Sequence, residues 1–383
     1  MTTTKTKAKL KINVNKMRGP CLSGLLVVCG ILLSACNSTS NHDSSVSYSP
    51  GSNSNSNSSS SSSSSSGFGQ SLTGPYSYDR VTAQDRNWIL GVWASRDLSA
   101  QSVELVYTKN TGDDEVRIYQ HKINGRTHYG AITIPNSQAM STGVPVVIFA
   151  GGLQQSNPSI NIQSQVLNHS QGDSSTTDFI QIIPAFRGRA LIYDGLSFSA
   201  DGDFCDAYDG AADDAIAMLN VAESRVSQGR YDKVMVTGGS RGGNTALLLA
   251  VRDRRINVAM PASAPVDFHR TSVRNHYGSQ YSCQFFDDKN NQESRERILA
   301  SSPLHFDVLP TVENIILHHG TQDSTVPFWN LQEMAINLED QGVNYFAHAY
   351  AGEGHRSLYD TPAYAENFDR GVQIFLENLE AAP

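Results

Sequence analysis

The sequence predicts an α/β protein with a mostly parallel central sheet that is covered by helices on both faces. Apolar runs of strand length recur from residue 144 onward, and most of them are continuous rather than alternating. Segments of helical length and composition stand between these runs. Strands that are apolar on both faces and separated by helices are typical of parallel sheets buried between two layers of helices.

The first two predicted strands form an antiparallel hairpin. Glu115–Ile123 and Thr127–Pro135 are separated only by Asn124, Gly125 and Arg126. An Asn-Gly pair between two strand-like segments indicates a hairpin, because both residues tolerate the positive φ angles of a tight turn.

Strands and helices then alternate along the chain. Apolar runs predict strands at 144–152, 178–186, 233–239, 256–263, 313–320 and 345–350. Helices are predicted at 208–224, 244–253, 330–342 and 366–380. We find no internal repeat, and we expect residues 71–383 to form a single domain.

Residues 1–35 are expected to be a secretory signal. Six cationic residues precede the apolar run Cys21–Ala35, which is too short for a convincing membrane span. The sequence Leu-Ser-Ala-Cys at 33–36 resembles the cleavage box of bacterial lipoproteins, which makes Cys36 the lipidation site. Asn37 after it favours the outer membrane over the inner one, and an ordinary cleaved signal with an incidental cysteine is the alternative.

Residues 36–70 are predicted to be a disordered linker. Serine and asparagine dominate this segment, with an unbroken serine run at 58–66. Almost nothing in it can be buried, so it cannot offset the entropic cost of folding. It is either a flexible spacer between the lipid and the folded domain or neutral low-complexity sequence.

The charge of the chain argues against a nucleic-acid partner. Residues 1–35 hold six of the 29 Lys and Arg residues and no carboxylate, so the rest has 23 cationic against 37 acidic residues, a net charge of −14. Such a chain repels phosphate backbones.

Two cysteines remain in the folded part. In an oxidising compartment we expect Cys205 and Cys283 to form a disulfide, and two separate buried thiols are the alternative.

A serine lies between glycines where a predicted strand meets a predicted helix. Gly238, Gly239, Ser240, Arg241 and Gly242 fit the nucleophile elbow G-x-S-x-G, a turn that exposes the serine Oγ above the sheet. A Walker loop would need a Lys-Ser/Thr pair, and the glycine spacing does not fit a dinucleotide-binding loop. A purely structural glycine turn is the remaining alternative.

A serine nucleophile needs a base and an acid to orient it, and the sequence offers both. Asp323 follows the predicted strand at 313–320, and His355 follows the one at 345–350. Their order, Ser then Asp then His, is that of the elbow-type hydrolases. His318 and His319 are expected to pack or to hydrogen-bond locally. No pair of histidines among these groups has the i,i+4 helical spacing of a zinc site, which argues against a metal.

The oxyanion of the tetrahedral intermediate needs two hydrogen-bond donors. One predicted donor is the Arg241 N–H, and the other is the N–H of Gly152 or Leu153 in the turn after the strand at 144–152. The sequence does not separate these last two.

Taken together, these motifs resemble the catalytic domain of the prolyl oligopeptidase family, within the α/β-hydrolases. The similar segments are GGSRGG around Ser240, HHGTQDSTVP around Asp323, GEGH at His355, PAFRGR at Arg187 and ILASSPLHF before the acid strand. The resemblance implies a serine peptidase or esterase without a cofactor. Two departures stand out: residues 71–116 are too few for the β-propeller of the family's peptidases, and Gly239 replaces the bulkier residue often found before the serine.

Residues 264–309 are expected to form a small cap over the serine. The aromatic residues in it either grip the substrate or only pack the cap, and the sequence leaves both open. They include Tyr277, Tyr281, Phe285 and Phe286.

We therefore expect a lipid-anchored extracytoplasmic serine hydrolase in which Ser240, His355 and Asp323 act on a small peptide or ester substrate. Neither the scissile bond nor the oligomeric state is fixed by the sequence. A non-catalytic surface lipoprotein and a metal-dependent hydrolase are the alternatives.

Overall fold

A ten-stranded sheet forms the centre of the computed structural model, which describes residues 12–13, 80–152, 159–162, 175–270 and 292–381. The strands are β1 (Ile12–Asn13), β2 (Gln101–Asn110), β3 (Asp114–Ile123), β4 (Arg126–Pro135), β5 (Val144–Ala150), β6 (Ser159–Asn161), β7 (Ile180–Ala185), β8 (Ala190–Tyr193), β9 (Leu196–Ser199), β10 (Gly229–Gly239), β11 (Ile256–Ala262), β12 (Asn314–Gly320) and β13 (Tyr345–Tyr350). The helices are α1 (Ala83–Ser95), α2 (Asp209–Arg225), α3 (Arg241–Arg252), α4 (Gln292–Ala300), α5 (Trp329–Gln341) and α6 (Pro362–Glu380).

The strand order in the large sheet is β1-β13-β12-β11-β10-β5-β7-β4-β3-β2. Neighbouring strands in the run β1-β13-β12-β11-β10-β5-β7 are all parallel. Beyond β7, the strands β4, β3 and β2 extend the sheet with antiparallel pairs. The predicted hairpin is confirmed, with Asn124 at φ 51° and Gly125 at φ 78° in its turn. The mostly parallel α/β sheet predicted from the sequence is therefore correct.

Helices cover both faces of the parallel part because its strands are apolar on both sides. In β5, Val146 and Ile148 belong to the core that contains α2, α3 and α5, whereas Val147 packs with residues of α6. Alternate side chains of a strand point to opposite faces. The sheet is thus buried between two helix layers, as expected.

Several elements were not predicted. They are α1, α4, β1, β2 and a separate three-stranded sheet of order β6-β8-β9. The small sheet packs its Leu191 and Tyr193 against Ile118 and Ile183 of the large sheet. It covers a part of the antiparallel end on the face opposite α2. Its strands have only three or four residues, too few for a recognisable pattern.

The parallel strands bring the predicted functional segments to one edge of the sheet. Gly238 of β10 is level with Ala150 of β5, and Ala262 of β11 is level with His318 of β12. Gly320, the last residue of β12, is level with Tyr350, the last residue of β13. The turns after β5, β10, β12 and β13 therefore start at a common edge.

The predicted signal and linker lie outside the described residues, except for Ile12–Asn13. The same applies to the central part of the expected cap, residues 271–291. Its two flanks pack into the main core, through Val266 on one side and Leu299, Ala300 and Phe306 on the other. In the part of the chain that the structure describes, no helix has the length and apolarity needed to cross a membrane.

Candidate active site

Ser240 occupies a strained position between β10 and α3. Its φ of 56° is one that residues other than glycine seldom adopt. Its backbone N–H donates to Ala262 O over 2.8 Å, which ties the turn to the neighbouring strand β11. This is the backbone conformation expected of a nucleophile elbow, in which a sharp turn raises the serine above the sheet.

The glycines of the elbow are required by the close approach of β5. A Cβ atom on Gly238 would lie 2.5 Å from Ala150 O, and one on Gly242 would overlap the same oxygen. A side chain at either position would push β5 away from the elbow. The sequence pattern around Ser240 is therefore explained by packing against the strand that leads to the predicted oxyanion turn.

Asp323 and His355, the acid and base predicted from the sequence, are hydrogen-bonded to each other. His355 Nδ1 lies 2.8 Å from Asp323 Oδ2, and the carboxylate is fully buried. The other oxygen, Oδ1, accepts backbone N–H groups from Thr325 and Val326 at 2.9 and 2.8 Å. This arrangement orients the imidazole so that Nε2 is the nitrogen available for proton transfer.

A second histidine supports the same carboxylate. His319 Nε2 lies 2.8 Å from Val326 O and 3.4 Å from Asp323 Oδ2. Burial would raise the pKa of Asp323, but hydrogen bonds from His319, His355 and the Val326 backbone outweigh it and hold that pKa below its ordinary value. Asp323 is therefore ionised at neutral pH. The sequence predicted only that His319 would bond locally, and its contact with the acid was missed.

The histidine loop, residues 351–361 between β13 and α6, lies against the elbow. Tyr359, four residues after His355, contacts Gly239, the residue before the serine. Within the described part of the chain, no hydrogen bond joins Ser240 Oγ to His355 Nε2. Catalytic hydrogen bonds are often long without substrate and tighten in the complex. The structure thus pairs Asp323 with His355 and places their loop beside Ser240, without a closed Ser–His contact.

The side chain of Arg241 holds the predicted oxyanion turn. This guanidinium is fully buried, and it donates from Nε and Nη2 to Gly151 O at 3.0 and 2.9 Å and from Nη2 to Gly152 O at 2.9 Å. It also stacks over the Phe186 ring at 4.1 Å. The sequence predicted a role for the Arg241 N–H only. The side chain was missed because Gly151 is 90 residues away in the chain.

Gly152 itself is next to the elbow. A Cβ atom at this position would lie 3.6 Å from Gly239 O. Because Arg241 engages the carbonyl oxygen of Gly151, it restricts the direction in which the Gly152 N–H of the same peptide group can point. Leu153, the other predicted donor, lies outside the described residues.

His318 does not take part in this group. Its Nδ1 is 2.8 Å from the Tyr350 hydroxyl, and its ring stacks on His348 with centroids 5.2 Å apart. Burial lowers the pKa of His318 to about 3, so the ring is neutral at neutral pH. Among the described residues, no group of three or more His, Cys, Asp or Glu side chains is arranged to hold a metal ion.

The comparisons with known proteins agree with this geometry. The model of the prolyl oligopeptidase family matches residues 175–380, which is more than half of the chain. The chain belongs to the prolyl oligopeptidase family. It is a serine hydrolase, and the matched segment contains Ser240, Asp323 and His355.

Solved structures of α/β-hydrolases share the fold of this family member. An acetyl xylan esterase from Paenibacillus sp. R4 is 17% identical with a TM-score of 0.53, covering 76% of this chain and 93% of the esterase. Acetyl xylan esterase 1 from Thermoanaerobacterium sp. is 13% identical with a TM-score of 0.52, with coverages of 76% and 96%. The acylaminoacyl peptidase of Pyrococcus horikoshii is 14% identical with a TM-score of 0.50, and the match covers 71% of this chain but 42% of the peptidase.

The other predicted site residues of this family member are the two cysteines of the folded part, the cap aromatics and the lipidation site. Cys205 is disulfide-bonded, and its partner lies outside the described residues, so the pairing with Cys283 stays a prediction. The cap aromatics Tyr277, Tyr281, Phe285 and Phe286 and the lipidation site Cys36 also lie outside them.

Proposed function

We propose that this serine hydrolase cleaves carboxylic esters of small acyl groups through an acyl-enzyme on Ser240. The observation that carries the mechanism is the strained elbow at Ser240 beside a loop whose His355 is hydrogen-bonded to a buried, ionised Asp323. An alcohol becomes an effective nucleophile only when an oriented base can take its proton.

The proposed reaction has two steps. In the first, Ser240 Oγ attacks the acyl carbonyl carbon, His355 Nε2 takes the serine proton, and the same proton passes to the departing alcohol oxygen as the C–O bond breaks. In the second, a water molecule gives its proton to His355, its oxygen attacks the acyl carbon, and the proton returns to Ser240 as the acid leaves. Backbone N–H groups of Arg241 and of the turn at 152–153 stabilise the oxyanion in both steps.

An ester is favoured over a peptide by the architecture of the described N-terminal part. Residues 101–135 form β2, β3 and β4, which belong to the catalytic sheet itself. In the described ranges, no separate domain stands in front of the active-site edge to select peptides by size. The match covers nearly the whole of the two acetyl xylan esterases but less than half of the acylaminoacyl peptidase.

The second candidate is a peptidase that removes short peptides or acyl amino acids. The family of the chain favours it. Phenyl acetate and phenyl butyrate, compared with peptidyl anilides at equal concentration, separate the two. We expect hydrolysis of the aryl esters, and activity on the anilides alone would replace the esterase proposal by the peptidase.

The nucleophile is tested independently of the substrate. A fluorophosphonate probe should label the purified protein, and mapping of the modified peptide should place the label on Ser240. Ser240→Ala should abolish labelling and lower ester hydrolysis by about 10⁴-fold or more. A wild-type protein that remains unlabelled would favour a non-catalytic binding role.

We also propose that Cys36 carries lipid and anchors the enzyme outside the cytoplasm, on the outer membrane. The cleavage-box sequence at 33–36 and the serine-rich segment that follows support this. Mass spectrometry of the protein from membranes should find a diacylglyceryl group on Cys36, and Cys36→Ser should release the protein from them. Recovery of an unmodified chain cleaved at another position would contradict the anchor.

A further inference from the structure

The space normally filled by a side chain before the nucleophile is occupied by a tyrosine from the histidine loop. Gly239 precedes Ser240, and a Cβ atom there would overlap the Tyr359 hydroxyl and lie 3.0 Å from Cζ. Alanine at this position would require Tyr359 to move. The glycine therefore lets Tyr359 reach the residue next to the nucleophile.

Tyr359 is positioned by its own loop and by the first turn of α6. It lies in a short 3₁₀ helix, Ser357–Asp360, whose Leu358 is fully buried. Its ring packs edge-on against Tyr364 with centroids 5.1 Å apart. Tyr364 lies in the first turn of α6, and its backbone N–H donates to the side chain of the N-cap Thr361. The direction of the Tyr359 side chain is thus fixed by packing on the helix that follows the histidine loop.

The Tyr359 hydroxyl makes no hydrogen bond in the described part of the chain, although it stands next to the elbow. The residue keeps 38% of its surface exposed. Partial burial of the phenol, together with nearby Tyr364 and Asp323, raises its pKa above the ordinary value, so the group is a neutral O–H donor at all physiological pH values. A free, oriented donor beside a nucleophile is suited to bind an acceptor atom of a substrate.

The side of the site on which Tyr359 lies follows from the role of His355. A general acid must face the departing oxygen in order to protonate it. Tyr359 belongs to the same loop, four residues further on, and its hydroxyl contacts the residue before the nucleophile. We therefore assign this hydroxyl to the leaving-group half of the substrate rather than the acyl half. This argument rests on the proposed function, since it requires His355 to act on a substrate held at Ser240.

We propose that Tyr359 determines leaving-group specificity by donating a hydrogen bond to an oxygen atom of the departing alcohol. The preferred substrates are esters whose alcohol carries a second oxygen near the scissile bond, as polyols and sugars do. The phenol keeps its proton throughout, and its contribution is to orient and bind the alcohol while Ser240 forms the acyl-enzyme.

Two acetate esters that differ by one acceptor oxygen test this. We would measure kcat/KM for trans-2-methoxycyclohexyl acetate and for cyclohexyl acetate, because a methoxy oxygen can accept a hydrogen bond but cannot donate one. We expect the wild type to prefer the methoxy ester. Tyr359→Phe should lower the ratio of the two kcat/KM values by about tenfold, the equivalent of one hydrogen bond.

Gly239→Ala provides a second variant that keeps the phenol but displaces it, and it should lower the same ratio. Tyr107→Phe is the matched control, since Tyr107 lies on the outermost antiparallel strand β2 and its hydroxyl bonds Asp194. It should leave the ratio unchanged. Thermal unfolding of each variant identifies any that fails to fold.

Each outcome decides between specific alternatives. An equal loss for both esters in Tyr359→Phe would show that Tyr359 only positions the histidine loop, and an unchanged ratio in both Tyr359→Phe and Gly239→Ala would exclude any leaving-group contact. A wild type that is labelled by fluorophosphonate but hydrolyses neither ester would overturn the inferred substrate class while Ser240 remains the nucleophile. Absence of labelling would overturn the proposed function itself.

Discussion

The two sides of the active site are held in different ways. On the acid side, Asp323 accepts backbone N–H groups from residues two and three positions ahead, and His319 is four positions behind it. On the oxyanion side, the turn at Gly151 and Gly152 is held by the Arg241 side chain from 90 residues away. The Asp323 carboxylate is therefore supported by local contacts, whereas the oxyanion turn is supported by a long-range one.

This difference separates two kinds of support. The acid side depends on an ionised carboxylate whose pKa is set by its hydrogen bonds, so it responds to changes of charge. The oxyanion side depends on a guanidinium that stays protonated at any accessible pH and binds two carbonyl groups in a fixed geometry. We expect the acid side to control proton transfer and the oxyanion side to control stabilisation of the oxyanion.

The largest effect should come from the acid side. Asp323→Asn keeps an oxygen for the Thr325 and Val326 N–H groups but removes the charge that orients the imidazole. We expect kcat for phenyl acetate to fall by about 10⁴-fold with a small change in KM. Asp340→Asn, an exposed position on α5, is the control. A loss below tenfold would show that another group orients His355.

A smaller effect is expected on the oxyanion side. Arg241→Lys keeps the charge but cannot bridge the carbonyl groups of Gly151 and Gly152 as the planar guanidinium does. We expect kcat to fall by about 10²-fold, comparable with the loss of an oxyanion donor.

The matched control for Arg241→Lys is Arg252→Lys at the other end of α3. Arg252 is also buried, where it is paired with Asp209 and Asp213. It should lower the melting temperature without a comparable loss of kcat. If both variants lose stability and neither loses kcat, Arg241 has no role beyond folding.

The contribution of His319 should be smaller again. His319→Phe removes the N–H near Asp323 Oδ2, and we expect kcat to fall by about tenfold. His319→Gln, which retains a side-chain N–H, should restore part of the rate. Equal kcat values for Phe and Gln would mean that the ring only fills space against Phe328, its edge-on neighbour.

The smallest effect is a pH dependence of stability that should distinguish the two sides. Because the folded pKa of Asp323 lies below the unfolded value of about 3.9, its stabilisation is fully present above about pH 4 and is lost as the pH falls through the folded pKa. The difference in free energy of unfolding between wild type and Asp323→Asn should therefore shrink below pH 4.

The corresponding difference for Arg241→Lys should not change, since neither side chain titrates in that range. Urea denaturation at pH 7, 5, 4 and 3 measures both differences. A constant difference for Asp323→Asn would contradict a lowered pKa of this carboxylate.

Much of the fold was predictable because its signals are local. The Asn124-Gly125 turn and the apolar run of β5 each state their structure within a few residues, and both predictions are confirmed. The small sheet β6-β8-β9 and helix α1 were not predicted. Their segments are short or weakly amphipathic, and they are held by contacts with distant residues, such as the buried ion pair between Asp85 and Arg295.

The predicted site follows the same division. Ser240 and Asp323 could be predicted because an elbow and an acid turn are each encoded in a few consecutive residues. The roles of the Arg241 and Tyr359 side chains were not predicted, since neither side chain has a partner nearby in the sequence that reveals its role. Gly239 was noticed only as a departure from the family pattern, and the structure shows that Tyr359 fills the space.

The sequence by itself determined the α/β alternation, the strained turn at Ser240 and the polar residues that follow β12 and β13, because backbone propensity and short-range hydrogen bonds act within a few residues. The tertiary structure decided which distant side chains support them. Strand order brings Gly151 to Arg241 and Tyr359 to Gly239, and contacts between residues so far apart in the chain exist only once the sheet has assembled.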